Sequence, residues 1–217
     1  MRRPGDRKVS QFHLTVIAKQ PVAGRVKTRL VPPLSEEQAA QIAAACLHDT
    51  FEAVSSCLER NDDVRAVALI DGDAGLWIPT GFEVHRQVGA GLRERLANGF
   101  DLLGPGLIVG MDTPSAGAHF DAAFDAMRDG RDALGLTHDG GYWGIGLASV
   151  ERAVFDDVPM SKDHTGADQL QQIRALGRRV EILPTVHDLD RFDDIAPIIG
   201  DMPGSHLASV AVSLLNR

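Results

Sequence analysis

Phe12-His13-Leu14-Thr15-Val16-Ile17 runs directly into Ala18-Lys19-Gln20-Pro21-Val22-Ala23-Gly24-Arg25-Val26-Lys27-Thr28-Arg29-Leu30, and that junction decides how the chain reads. The first six residues are apolar and β-branched, the composition of a buried strand. The strand empties into a loop that holds Pro21, Gly24 and the cations Lys19, Arg25, Lys27 and Arg29, with no acid among them, in a chain whose formal charge is −8. Glycine lets backbone N–H groups approach a ligand closely, and clustered Lys and Arg neutralise phosphate oxygens through charge-assisted hydrogen bonds. On composition alone the segment is equally a solvated basic loop. Its position favours a ligand: a loop after the first strand of an α/β sheet lies at the carboxyl ends of the strands, where such folds bind their substrates. The expectation is a nucleotide, held by Ala18, Lys19, Pro21, Gly24, Arg25, Lys27 and Arg29.

Outward from this loop the chain alternates strand and helix. Ser35-Glu36-Glu37-Gln38 is a capping box, and the apolar residues Ala39, Ile42, Ala43, Cys46, Leu47, Phe51, Val54 and Leu58 follow at helical spacing. Strands are predicted at Val64–Ile70, at Phe82–Arg86 (shorter, more polar, nearer an edge) and at Gly106–Gly110. Helices are predicted from Gly91 to Leu103, from Ser115 to Arg128 and from Thr165 to Leu176, the last ended by Gly177. Ala133–Leu136 and Tyr142–Leu147 read as strands on either side of Asp139-Gly140-Gly141, Val180–Pro184 as the last strand, and two short helices follow. This order implies one α/β domain over residues 11–217, with a mostly parallel central sheet covered by helices on both faces. Residues 1–10, MRRPGDRKVS, read as a disordered basic tail.

Composition narrows the function. With 217 residues and 44% hydrophobic content the chain can bury one sizeable core. The acidic balance argues against nucleic acid as a partner, which demands a broad basic surface. No apolar run approaches the roughly 20 residues that span a bilayer, so no membrane partner is expected. Cys46 and Cys57 lie eleven residues apart on one predicted helix, too far to bridge; they read as reduced core residues of a cytoplasmic protein.

Three segments carry candidate chemistry. Asp112 closes the strand in Val109-Gly110-Met111-Asp112-Thr113-Pro114, so its carboxylate projects where the sheet ends. It is either the cap of the next helix or a ligand of Mg²⁺ or Mn²⁺, hard cations that take carboxylate oxygens together with substrate phosphates. In His187-Asp188-Leu189-Asp190-Arg191-Phe192-Asp193-Asp194, Asp188 and Asp190 alternate about Leu189 and share one side of an extended segment. A solvated charge run is the plain alternative, but with Asp112 either residue supplies the second carboxylate a metal needs. Asp139-Gly140-Gly141-Tyr142, taken alone, is a hairpin signal. At the carboxyl edge it also suits an acceptor-binding turn of Asp139, Gly140, Gly141 and Tyr142, with Asp139 orienting the acceptor or taking its proton.

Four segments in this order resemble the nucleotide-diphospho-sugar transferase superfamily, of glycosyltransferase-A (GT-A) fold, and within it a bacterial family described as glycosyltransferase-A-like. They are Ala18 to Leu30 (A-K-x-P-x-x-G-R-x-K-T-R-L), Gly110 to Pro114 (G-x-D-x-P), Asp139 to Tyr142 (D-G-G-Y) and Asp188 to Asp190 (D-x-D). Related families include the molybdenum cofactor guanylyltransferases, the phospholactate guanylyltransferases and the sugar-phosphate nucleotidyltransferases. The resemblance implies a Rossmann-like GT-A sheet, phosphate contacts from Arg25, Lys27 and Arg29, and a metal on Asp112 with Asp190 or Asp188. The chain departs from the family pattern at Arg191-Phe192, where Thr-Pro is usual, and in the looser Gln87-Val88-Gly89-Ala90-Gly91-Leu92-Arg93-Glu94-Arg95 loop. Lys27, Asp112 and Asp139 are the expected catalytic residues. The expected reaction is Mg²⁺- or Mn²⁺-dependent nucleotidyl transfer from a nucleoside triphosphate to a small phosphorylated or hydroxyl acceptor. Glycosyl transfer from an NDP-sugar is the alternative, and a non-catalytic nucleotide-binding module the third.

Overall fold

The structure is a computed structural model that describes residues 11–215; the expected tail at residues 1–10 lies outside the described residues. Seven strands form one sheet: β1 (Phe12–Lys19), β2 (Val64–Asp71), β3 (Glu83–Arg86), β4 (Gly106–Gly110), β5 (Asp132–Thr137), β6 (Tyr142–Leu147) and β7 (Val180–Val186). Their spatial order is β3-β2-β1-β4-β6-β5-β7. All neighbours pair in parallel except β6, which runs antiparallel to both β4 and β5. The short, polar β3 is an edge strand, as its composition predicts.

Six helices cover the sheet: α1 (Glu36–Arg60), α2 (Leu92–Leu103), α3 (Phe120–Arg128), α4 (Thr165–Ala175), α5 (Ile195–Asp201) and α6 (His206–Leu215). The capping box holds α1 in place, Gln38 N–H donating to Ser35 Oγ at 3.2 Å while Ser35 N–H donates to Gln38 Oε1 at 2.8 Å. Alternation along β1 sends Phe12, Leu14, Val16 and Ala18 to one face, where they meet Leu47 and Phe51 of α1 and Phe120 and Phe124 of α3. Ile17, Ile108 and Ile145 point the other way, against Leu96 and Phe100 of α2 and Ile173 of α4. Helices therefore do cover both faces, and the buried thiols Cys46 and Cys57 are unbridged members of the packing against α1.

Two local expectations are corrected. Residues 115–128 are not one helix: Pro114–His119 form a 3-10 turn before α3 begins. There Gly117 lies so near α1 that a Cβ would stand 2.4 Å from the Ala53 methyl, which favours the tighter winding. The strict strand–helix alternation also fails between β2 and β3, where residues 72–82 cross without a helix. Trp77, Ile78 and Phe82 of that crossover pack against the core in its place.

Candidate active site

The chain leaves β1 for β2 and β3 on one side and returns to β4 on the other, so the strand order reverses between β1 and β4. A crevice opens at the carboxyl ends at such a point, and open α/β sheets bind their ligands there. The basic loop and Asp112 meet at this crevice. Lys27 sits in the left-handed region, φ 49° and ψ 36°, at the head of a 3-10 turn over Thr28–Leu30. That strained backbone turns its side chain inward, where Nζ donates to Asp112 Oδ2 at 2.9 Å and to the Leu189 carbonyl. One ammonium thus ties together the β1 loop, the end of β4 and the segment after β7. Burial works against the charged lysine, but attraction and the hydrogen bond from Asp112, helped by Cys46 and Asp190, carry its pKa above the ordinary value.

Asp112 does not cap the following 3-10 turn; Thr113 occupies the cap position without a side-chain bond. Leu189 N–H donates to the Asp112 carbonyl at 2.9 Å, which brings Asp188 and Asp190 to the same edge. The two carboxylates have different surroundings. Asp190 pairs with Arg29 at 2.8 Å. The Asp188 carboxyl is pushed up to about 6 by burial and by the nearby charges of Asp139 and Asp112, with Lys27 opposing. Asp139 and Asp112 therefore lie close enough to Asp188 for their charges to be felt there, and a shifted carboxyl among neighbouring acids is a pattern typical of functional sites. The imidazoles of His138 and His187 stack beside it with centroids 4.2 Å apart. Thr113 Oγ1 and Ser115 Oγ, next along the chain from Asp112, are buried with no hydrogen-bond partner among the described residues.

Asp139 lies at the end of β5, which runs parallel to β4, so it opens on the same edge as Asp112. Its Oδ1 accepts from Thr137 Oγ1 at 2.6 Å and from Gly141 N–H at 2.8 Å, the signature of a side chain shaping its own turn. The turn does join the antiparallel pair β5 and β6, so the hairpin signal and the edge position coexist. Gly140 (φ 90°) is pressed against the chain ahead of α4, and a Cβ there would lie 1.7 Å from the Asp163 carbonyl oxygen. Tyr142 turns its hydroxyl away from the acids, toward Gln169 Oε1 (3.4 Å) and Met160 Sδ (3.7 Å), and burial raises its pKa.

Of the remaining expected nucleotide contacts, Ala18 is buried in β1, Pro21 lies partly buried in the loop, and Lys19, Gly24 and Arg25 are exposed. Lys19 and Arg25 make no side-chain hydrogen bond or ion pair among the described residues. Sequence reasoning missed the Leu189 carbonyl and the role of the 87–95 loop. There Gln87 Nε2 donates to the carbonyls of Ala18 (2.8 Å) and Leu69 (2.9 Å), and Arg95 spans Gln87 Oε1 (2.9 Å) and Asp71 Oδ2 (3.0 Å). The only sequence signal was a polar pair, Gln87 and Arg95, flanking two glycines.

The donor set suits a hard divalent cation. Carboxylates are the ligands such a cation takes, and Asp139 and Asp112 lie near enough to Asp188 to add to the effect of burial on its carboxyl, with the buried Lys27 ammonium opposing.

The seven-stranded mixed sheet with helices on both faces matches a nucleotide-diphospho-sugar transferase fold. A protein from Desulfovibrio desulfuricans G20, described as a candidate nucleotide-diphospho-sugar transferase, superposes with a TM-score of 0.80 at 22% identity over 94% of this chain and 95% of that one. The bifunctional IspDF from Campylobacter jejuni matches with a TM-score of 0.54 at 11% identity, over 86% of this chain and 54% of that one. Rv0371c of Mycobacterium tuberculosis H37Rv, in complex with manganese, reaches 0.48 at 19% identity over 89% and 100%, too loose a fit to support an argument. No curated protein is close enough in sequence to count as a relative. The chain belongs to the family described as an uncharacterized protein conserved in bacteria (DUF2064), whose model matches residues 42–162.

Proposed function

We propose that the protein is a Mg²⁺- or Mn²⁺-dependent nucleotidyltransferase that moves a nucleotidyl group from a nucleoside triphosphate to a small phosphorylated or hydroxyl acceptor. The observation that carries this reading is Lys27 lying against Asp112 at the crevice, with Asp188 and Asp139 beside it. Phosphoryl chemistry asks mainly for positioning and for cations on developing phosphate charge. Arg25 and Lys19 reach solvent from the same loop and suit the outer phosphates, while Lys27 suits the inner ones. Asp112 and Asp188, with Asp139 in reach, would hold the metal; Asp190 serves by holding Arg29. When bound, the metal would neutralise phosphate oxygens and polarise the phosphorus under attack. The acceptor would approach from the side of Asp139, whose second oxygen can orient a hydroxyl or take its proton. Gly140, Gly141 and Tyr142 would shape that side through the backbone of the turn.

One observation favours an NDP-sugar donor instead. Two of the four cations are held by acids, Lys27 by Asp112 and Arg29 by Asp190, which leaves two free, a number that suits a diphosphate. Thermal-shift measurement with the common nucleoside triphosphates and NDP-sugars, with and without Mg²⁺, separates the readings. Metal-dependent stabilisation by a triphosphate, lost in Asp112→Asn, is the expected result. Stabilisation by NDP-sugars alone would replace nucleotidyl with glycosyl transfer, and no metal-dependent response to either would remove both.

A further inference from the structure

A second group of ligand-type side chains lies away from the acid cluster, where α6 crosses α1. His48, Asp49 and Glu52 of α1 each offer a donor atom, and these lie within 4.8 Å of one another. His48 Nδ1 is 3.6 Å from Asp49 Oδ1 and 3.9 Å from Glu52 Oε2. Those separations exceed a hydrogen bond. They are close to the edge of a tetrahedron around one ion, which metal–ligand lengths of about 2.0–2.2 Å set at about 3.3–3.6 Å.

His206 of the other helix stands next to these three and, being exposed, can turn a ring nitrogen toward them. The His206 ring faces His48 with centroids 4.6 Å apart and planes inclined by 46°. The backbone there is held by Asp49, a buried carboxylate whose oxygens accept from the main-chain N–H groups of His206 at 3.0 Å and Leu207 at 2.8 Å. Asp49 therefore fixes the start of α6 on α1, and each of its oxygens keeps a lone pair for a further bond. Beside the two histidines lies a cavity of about 730 Å³, lined by His48 and His206 with Pro21, Gln41, Trp77 and Ser209.

We propose that His48, Asp49, Glu52 and His206 bind a zinc ion that joins α1 to α6. Two imidazoles with two carboxylates select zinc over Mg²⁺, which favours the all-oxygen set of Asp112, Asp139 and Asp188. The two sites differ in donor chemistry and share no residue, so this inference stands whether or not the transferase reading does.

The test uses the full chain, free of any affinity tag and stripped with chelator, titrated with ZnCl₂ in a calorimeter beside His48→Ala, His206→Ala and Asp112→Asn. Wild type and Asp112→Asn are expected to take up one zinc ion at the same affinity and to melt higher with it. Both histidine variants should lose at least about 10-fold in affinity, the least that even an outer-shell partner of a metal site carries. Co²⁺ should give the visible absorption of a tetrahedral ion in wild type and not in those variants. The proposal is overturned if wild type takes up no zinc, or if uptake disappears in Asp112→Asn and persists in the histidine variants. His48 is half exposed on α1, so its removal spares the core. Should either histidine variant fail to fold, Glu52→Gln, more exposed still, is judged by the same two results.

Discussion

Replacing Lys27 by methionine keeps most of the aliphatic stem and removes the ammonium that bonds Asp112 and the Leu189 carbonyl. A hydrogen bond to a charged group is worth about 1.5–3 kcal/mol. For folding, the lower figure applies: the Asp112 side chain is 39% exposed, so water can replace the lost partner. A cost of about 1.5 kcal/mol lowers the melting temperature by roughly 3–6 °C in a chain of this size. For ligand binding the same range corresponds to a loss of about 10- to 150-fold, because the ammonium is the inner cation of the loop. Calorimetric titration with a nucleoside triphosphate and with the bare nucleoside reads this directly. The triphosphate should lose that factor and the nucleoside much less. Mn²⁺ titrated without nucleotide should bind more tightly to the variant, since ammonium and metal share Asp112. Equal losses for both ligands would refute the reasoning, for Lys27 would then act by holding the fold together and not by its charge.

Other consequences can be measured on the free protein. Asp188, raised to about 6 from 3.8, binds a proton in the folded state that the unfolded chain has released, so its contribution to stability grows as pH falls from 7 toward 4. Asp188→Asn should melt higher than wild type at pH 7.5 and lose that advantage by pH 5; a constant difference across the range would show that Asp188 is not the titrating group. The buried His13 works in the opposite sense: its pKa, lowered to about 3 chiefly by desolvation, leaves it neutral, and stability is lost as pH falls below 6.5. Both variant and wild type share that loss, so their difference isolates Asp188. Gly140→Ala places a methyl against the Asp163 carbonyl at φ 90° and should cost more than about 2 kcal/mol in denaturant unfolding. Asp139→Asn keeps the turn acceptor, so a fall in turnover with an unchanged melting temperature would mark Asp139 as acting on the acceptor, and full turnover would leave it a turn residue. Asp49→Ala leaves the first two N–H groups of α6 without their acceptor, Ser205 Oγ keeping that of Ala208, and should cost about 1–2 kcal/mol, read from the denaturation midpoint.

Strands and helices were legible where burial imposes a period. The run from Phe12 buries both its faces and the stripe from Ala39 to Leu58 buries one, and each appears where its pattern puts it. The 72–82 crossover was not legible, because Trp77 and Phe82 cover the sheet singly, at no fixed spacing. Within the site, Asp112 was visible as an acid ending a buried strand and Lys27 as a cation of the basic loop, but their pairing was not, since their meeting depends on a left-handed backbone at a lysine. Asp188 and Asp190 could not be told apart by alternation, which gives both the same side of the chain. What separates them is tertiary: Arg29 comes to one and Asp139 to the other. Tyr142 followed glycines at the right edge, yet its hydroxyl reaches Gln169 of α4, a contact across 27 residues that no local pattern announces.

Leu30 and Leu34 behind the basic loop pack in one small cluster with Leu189, Ile195 and Ile198, and with Leu207 and Ala211 of α6. The two loops that carry Lys27 and the distal aspartates thus lean on a common footing whose last stones are laid far downstream. During synthesis the sheet from β1 to β4 can assemble as the chain emerges, while the leucines behind the basic loop, met by Ile42 and Cys46 of α1, wait for the rest of their cluster until α6 is made and docks. The nascent protein would therefore have a framework well before the basic loop is seated, and any lesion that loosens α6 would unseat the loop while leaving that framework standing.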